Sequence, residues 1–404
     1  MLSKFKLRKG VLRKFARAFI ALIHATPFRN FRKISLEDMQ TPTRILILNG
    51  AHIGDIVIST SILPILRSAY PSAEIGFLVG SWAAMVIKGH QDIAYVHILD
   101  HWWHNRSNKS RIQKYLQYRK TYNQALSEIR EKNYDLALCI YPYLLPDFMD
   151  LAWHAKIPVR VGFKESLYAP LATVAMDLPK NSFLPQSAIQ ATILQPFNLG
   201  RAHLEKRMPV LPQSTEADIL EICRLLNIDN ISEQSYRIIH LGTGARSREM
   251  TPAFWREIAE SISKRHKVIF TGQGEREATQ IAEVINGLEN CVNACNKLSW
   301  GGFVATVRHA DLLYGVESMA GHVAAAVGTR CIVVYSGAAG VARWRPEGSS
   351  IVMSNHLECA PCNLPNGCDA MTCMRSIAPQ EIIEIEAYLP QRMRDPSALH
   401  EWPN

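Results

Sequence analysis

The sequence predicts an α/β protein built from two doubly wound parallel sheets in series. Three observations carry that expectation. Short apolar runs alternate with longer amphipathic stretches. The rhythm breaks once, over residues 206–235, and then restarts. In each half, a turn of small residues stands between an apolar run and a helix start. A chain of 404 residues is long enough for two domains, and its 48% hydrophobic content is that of a folded globular protein.

The elements follow in order. Arg44–Leu48 reads as a buried strand, residues 49–55 (NGAHIGD) as a turn, and the stretch to about Ser68 as a helix. Strands are expected at Ala73–Val79, Tyr95–Leu99, Asp135–Ile140 and Val159–Phe163, with a long polar helix over Lys109–Lys132. Residues 206–235 read as a linker carrying one helix. The second alternation opens with a strand at Tyr236–His240. Thr251-Pro252 cap and start a helix, Lys267–Phe270 is a strand, and Glu275–Ile285 is a helix.

Residues 310–337 (ADLLYGVESMAGHVAAAVGTRCIVVYSG) are the most informative stretch. Ala310–Tyr314 is expected as a strand and Gly315–Gly321 as a turn. His322 then stands just inside an Ala-rich helix that Gly328-Thr329 ends, and Cys331–Tyr335 is a second strand. This is a βαβ unit in which small residues open a helix. Unpaired N–H groups and a partial positive charge at such an N-terminus suit a phosphate. The domains are therefore set as a basic tail at 1–41, a first domain at 42–205, the linker, a second domain at 236–390 and a tail at 391–404.

Charge is concentrated at the start. Residues 1–33 hold ten Lys/Arg and no Asp or Glu, so of the total net charge of +9 the remainder carries −1. Leu12, Phe15, Phe19, Leu22 and Ile23 share one helical face, which reads as a basic amphipathic helix lying on an anionic membrane. The competing reading is a helix docked on the protein's own surface. The apolar run Ala18–Ile23 is too short for a membrane span and lacks a cleavage site for a secretory signal. Nucleic acid is not an expected partner, because no aromatic platform or base-reading motif accompanies the charge. The expected location is cytoplasmic, peripheral on the inner membrane.

Five motifs carry chemistry. Gly54-Asp55 stands between the first strand and the first helix, where a carboxylate can serve as a general base or simply cap the helix. His52 beside it can orient an acceptor or be a polar loop residue. His240–Arg248 (HLGTGARSR) is a turn bearing Thr243 and Gly244 with two arginines, Arg248 and its rival Arg246, either of which can supply a cation to a charged ligand or be solvated on a loop. Thr271–Glu277 (TGQGERE) is a glycine-rich turn in which Glu275 can bind hydroxyls or complement the helix dipole. Glu317-Ser318-Met319-Ala320-Gly321-His322 opens the later helix; His322 can contact phosphate or donor sugar, or be a half-buried helix residue. Cys359, Cys362, Cys368 and Cys373 crowd into fifteen residues. Soft thiolates on such a loop suit structural zinc or iron, the alternative being reduced thiols packed in a loop. Cys139, Cys223, Cys291, Cys295 and Cys331 read as buried or incidental.

In this order, over about residues 42–390, these motifs resemble the family 9 glycosyltransferases, the bacterial lipopolysaccharide heptosyltransferases among them. The resemblance implies a GT-B fold, two Rossmann-like domains facing a cleft. It implies Asp55 as catalytic base and His52 toward the acceptor. It places Thr243, Gly244, Arg248, Glu275 and Glu317–His322 on a nucleotide-sugar, most closely ADP-heptose. The chain departs from the family pattern in three places: Arg248 stands for a lysine, Glu317 for an aspartate, and Met319 for a glycine. The implied reaction is inverting transfer to a lipopolysaccharide core or another lipid-linked glycan. No Asp-x-Asp pair ends a strand, so no cofactor is expected for the chemistry. The alternatives are a family 9 enzyme with another donor, or with a protein or O-antigen acceptor, and a non-catalytic nucleotide-sugar-binding protein.

Overall fold

A computed structural model describes residues 41–141, 148–179, 183–231, 234–355, 357–364 and 366–389. The expectations for the basic tail and for residues 391–404 fall outside these. The chain divides into two compact units, with the boundary between Gln213 and Ser214. Among the described residues no helix is long and apolar enough to cross a membrane.

The first unit is a six-stranded parallel sheet. In chain order its strands are β1 (Arg44–Leu48), β2 (Glu74–Val79), β3 (Tyr95–Ile98), β4 (Leu136–Cys139), β5 (Val159–Phe163) and β6 (Val174–Met176). Their spatial order is β3-β2-β1-β4-β5-β6. Ile45–Leu48 are almost wholly buried because helices cover both faces of a parallel sheet, so the central strand is apolar throughout. Ile45 pairs with Ile75 on one side and Leu136 on the other.

The connecting helices are α1 (Ile53–Ser59), α2 (Leu63–Ala69), α3 (Arg111–Lys132), α4 (Met149–His154) and α5 (Gln186–Ala191). The single helix expected to Ser68 is in fact α1 and α2 joined by a 3-10 turn at Thr60–Ile62. The long helix starts two residues later than expected because Ser110 caps it. Ser110 Oγ accepts the Gln113 N–H at 3.3 Å, while Gln113 Oε1 accepts the Ser110 N–H at 2.9 Å. Asn133 ends it in the left-handed conformation, φ 50°.

The second unit repeats the plan. Its strands are β7 (Tyr236–His240), β8 (Lys267–Thr271), β9 (Cys291–Asn293), β10 (Leu312–Val316), β11 (Cys331–Val334) and β12 (Ser350–Met353), ordered β12-β11-β10-β7-β8-β9. Its helices are α6 (Glu216–Leu226), α7 (Pro252–Ser263), α8 (Glu275–Ile285), α9 (Trp300–His309), α10 (Met319–Ala326) and α11 (Pro379–Tyr388). Helix α6, expected within the linker, belongs to this unit and packs on α9. Thr251 Oγ1 accepts the Phe254 N–H at 3.2 Å and Pro252 occupies the first turn of α7. Trp255, Ile258, Ala259 and Ile262 then bury one face of that helix on the sheet.

The key βαβ unit is shifted relative to expectation. Strand β10 runs to Val316, so the turn is only Glu317-Ser318 and the helix begins at Met319, not at His322. Gly315 reads as turn but pairs with His240 inside the sheet. A Cβ there would stand 3.1 Å from the His240 carbonyl oxygen, so the glycine serves close strand contact.

Candidate functional site

In both sheets the order of strands reverses between two central neighbours, β1 and β4 in the first and β7 and β10 in the second. The crevice at the carboxyl ends of such a pair is where doubly wound sheets bind ligands. His52 and Asp55 follow β1, Thr243–Arg248 follow β7, and Glu317–His322 follow β10.

In the second unit, the loop after β7 meets the turn after β10. Thr243 Oγ1 donates to the Glu317 carbonyl oxygen at 3.1 Å. Arg248 Nη2 stands 3.4 Å from Glu317 Oε1, and Ser336 Oγ donates to Glu317 Oε2 at 3.5 Å. Burial pushes the Glu317 carboxyl up to about 7; the Arg248 charge and the Ser336 hydroxyl pull the other way without cancelling it.

Ser318 is the N-cap residue of α10, but its hydroxyl makes no cap bond. Among the described residues, Ser318 Oγ and Arg248 Nε are both buried without a hydrogen-bond partner. One orphaned atom thus stands at the start of α10, whose first N–H groups have no intrahelical acceptor, and the other belongs to the arginine held at the preceding Glu317. Met319 is half-buried and Ala320 buried, while buried Gly321 lies against Pro346 and Val333. His322, in the second half-turn, is buried. Burial alone drives its imidazole down to about 4, so it is neutral at pH 7.

Gly244 and Arg246 are exposed on the loop, so Arg248 and not its rival reaches Glu317. Glu275 is also exposed, in the first turn of α8. The carboxylate that turns inward is Glu277, which sequence reasoning passed over. Its Oε2 accepts the Gln273 N–H at 2.9 Å, and burial raises its pKa. A Cβ on Gly242 would strike this carboxylate, and one on Gly272 would lie 2.8 Å from it. The readable signal was therefore two glycines at the ends of adjacent strands, both clearing space for one side chain.

In the first unit, residues 49–52 form a braced turn. Asn49 is fully buried, donating from Nδ2 to Ser59 Oγ at 2.7 Å and accepting the Ala51 N–H at 3.0 Å. Trp82 Nε1 donates to the Ala51 carbonyl oxygen at 2.8 Å. Asp55 lies in the first turn of α1, where its Oδ2 accepts the His52 N–H at 3.2 Å. The cap and the half-buried carboxylate thus coexist in one residue.

The His52 ring stacks on His104, centroids 4.8 Å apart and planes 18° apart. His104 Nδ1 lies 3.3 Å from the Gly50 carbonyl oxygen, which can only accept, so that nitrogen carries the proton. Burial, chiefly, takes His52 down to about 3 and His104 and His101 to about 4. Arg106 adds to the first two, and the Gly50 bond opposes the shift of His104. At neutral pH this is a cluster of uncharged imidazoles beside Asp55. The run His101-Trp102-Trp103-His104 was the unread signal for it.

The metal expected at the four-cysteine loop is not shown. Cys359 and Cys368 are exposed and Cys362 and Cys373 half-buried. Among the described residues no three His, Cys, Asp or Glu side chains stand together so as to hold a metal ion. Tetrahedral ligation of zinc or iron would need the four sulfurs to converge. Cys373 packs on Gly337, and the Cys362 N–H bonds the Gly337 carbonyl oxygen at 3.0 Å, as residues of a packed loop do.

The sequence pattern of "Glycosyltransferase family 9 (heptosyltransferase)" matches residues 124–367. The chain belongs to glycosyltransferase family 9. Its two Rossmann-like units are the GT-B architecture of that family, and it is a glycosyltransferase. Solved family 9 structures share the fold at low identity. A glycosyl transferase family 9 protein from Veillonella parvula is 17% identical with a TM-score of 0.69, covering 86% of this chain and 97% of that one. The E. coli ADP-heptose lps heptosyltransferase II is 18% identical at a TM-score of 0.66, covering 85% and 98%. E. coli heptosyltransferase WaaC with ADP-2-deoxy-2-fluoro heptose is 15% identical at 0.61, covering 85% and 99%. No curated protein matches the chain.

Proposed function

We propose that this family 9 enzyme moves a sugar from a nucleotide-sugar to a hydroxyl of a glycan acceptor with inversion at the anomeric carbon. The observation that carries the reading is the pair of orphaned atoms, Ser318 Oγ at the N-terminus of α10 and Nε of Arg248, the arginine held at the preceding Glu317. A diphosphate would satisfy both, together with the helix N–H groups.

Asp55 accepts the proton as the acceptor oxygen bonds to the anomeric carbon. The bond from that carbon to the diphosphate breaks, and its electron pair leaves with the nucleotide. Arg248 and the α10 dipole offset the charge that develops. Thr243, Gly244, Glu317 and His322 line the donor, Glu275 or its inward neighbour Glu277 takes ribose hydroxyls, and His52 faces the acceptor. ADP-heptose is the proposed donor, supported by the two similar E. coli proteins, an ADP-heptose lps heptosyltransferase and WaaC with ADP-2-deoxy-2-fluoro heptose. A lipopolysaccharide core or similar lipid-linked glycan is the proposed acceptor. The proposed setting is the cytoplasmic face of the inner membrane, with residues 1–33 as anchor.

The test pairs nucleotide-sugar binding with turnover. ADP-heptose is expected to raise the unfolding temperature of the wild type and of Asp55→Asn alike, by the mass-action stabilisation any native-state ligand gives. The Asn variant keeps a cap acceptor for the His52 N–H but loses transfer by about 10²–10⁴-fold, the range for a general base. Full turnover in that variant, or no thermal response to any nucleotide-sugar in a panel, refutes the assignment.

A further inference from the structure

Helix α3 carries apolar side chains that the sheet covers toward its C-terminal half and leaves exposed in its first two turns. Its inner stripe buries Tyr122, Ala125 and Ile129 against the sheet. Ile112, Tyr115 and Leu116 in the first two turns are spaced as neighbours and are exposed by 73%, 50% and 61%. The adjoining loop adds Trp102 and Trp103, exposed by 40% and 61%. Ring contacts join the two sets. Trp103 meets Trp102 at 5.4 Å and Trp102 meets His101 at 5.7 Å; His101 meets Tyr118 at 5.0 Å and Tyr118 meets Tyr115 at 6.2 Å. Leaving tryptophan, isoleucine and leucine facing water forgoes hydrophobic free energy that covering them would recover.

The charges around this patch are of one sign. Residues 101–127 contain six Lys/Arg (Arg106, Lys109, Arg111, Lys114, Arg119 and Lys120) and no Asp or Glu. The flanking acids are held by partners, Glu128 by the His97 imidazole at 3.0 Å. Asp100 is 2% exposed and accepts the Ser81 N–H at 2.7 Å, and Asp150 is bonded by the Tyr122 hydroxyl at 3.2 Å.

We infer that the first two turns of α3 and the Trp102-Trp103 loop form a docking surface for an anionic lipid bilayer. Charge complementarity selects this occupant. The protein's own residues 1–33, with ten cations and no acid, would meet the basic rim with like charge, and so would the same face of a second copy. An anionic bilayer answers both parts of the patch at once. Indole rings settle at the headgroup boundary with the aliphatic side chains below them, while Lys and Arg face the lipid phosphates. The surface adjoins the Asp55 end of the unit through His101, which meets Phe148 at 6.1 Å, and through Phe148, whose ring lies against Gly50. A membrane-borne acceptor would therefore arrive beside the proposed base. The inference does not depend on the transfer reaction, because lipid binding is read without donor or acceptor.

The full chain is mixed with phosphatidylglycerol–phosphatidylcholine vesicles carrying brominated acyl chains, and tryptophan quenching is recorded. Residues 1–40 contain no tryptophan, so insertion of the basic tail alone is silent. The wild type should be quenched on these vesicles and not on pure phosphatidylcholine. Trp102→Phe/Trp103→Phe should still co-sediment but lose most of the quenching. Ile112→Glu/Leu116→Glu, on an outward face, should keep the wild-type unfolding midpoint and bind vesicles about tenfold more weakly. Quenching that persists in the double Phe variant, wild-type binding by the Glu variant, or a fluorescence response to soluble glycan with none to vesicles overturns the inference.

Discussion

Replacing Glu317 with glutamine separates charge from shape at the centre of the second unit's site. The carboxyl is 5% exposed and its pKa stands at about 7 against an ordinary 4.5. The folded state therefore holds a proton that the unfolded chain has released between those two values. A raised carboxyl pKa means stability is greatest below pH 4.5, falls as pH rises to 7, and is level above that. The displacement of 2.5 pH units corresponds to about 3 kcal/mol at pH 8, of which about 1 kcal/mol is already present at pH 5. Glutamine carries no charge to desolvate. In urea unfolding the stability of Glu317→Gln relative to wild type should therefore rise by about 2 kcal/mol between pH 5 and pH 8. Subtracting the two curves at each pH cancels every other titrating group. A difference that is flat across that range, or one that falls, would refute the claim that Glu317 is held protonated by burial against the opposing pull of Arg248. The same logic reaches the ligand. A diphosphate near the carboxyl should bind the wild type more tightly at pH 6 than at pH 8 and bind the variant nearly alike at both.

Arg248→Ala should lower kcat/KM by about 10²-fold, and Arg248→Lys should recover only part of it, because a point charge replaces a fork. Equal kinetics in all three proteins would remove the cation from the site. Gly242→Ala should displace the Glu277 carboxylate and lower stability by about 1–3 kcal/mol, and Gly242→Ala/Glu277→Ala should recover it; a double variant no better than the single one would show that the two are not coupled. His104, 7% exposed, titrates at about 4 against an ordinary 6.5, so its contribution is complete above pH 6.5 and is lost as pH falls toward 4. His104→Gln should thus show a shallower acid limb of unfolding than wild type, by up to about 3 kcal/mol in total. Treatment with a chelator should leave the melting temperature unchanged, and a fall of several degrees would show that the four-cysteine loop gathers a metal after all.

The alternation of apolar runs such as RILIL, YRIIH and CIVV was enough to expect two parallel sheets, because strands covered on both faces must be apolar at every position. The order of motifs was enough to place Asp55, Arg248, Glu317 and Ser318 at strand ends. Strands β6, β9 and β12 escaped notice because they are short edge strands whose residues are only half-buried, leaving little hydrophobic signal.

Composition and periodicity alone determined the class, the two halves and the strand-end turns, since those follow from local pattern. Which carboxylate turns inward, Glu277 or Glu275, was decided by the approach of two glycine turns from strands far apart in sequence. The same is true of the stack of His52 on His104 and of the start of α10 at Met319. These depend on which side chains the sheet brings together, and no local pattern encodes the company a residue keeps across thirty or more positions.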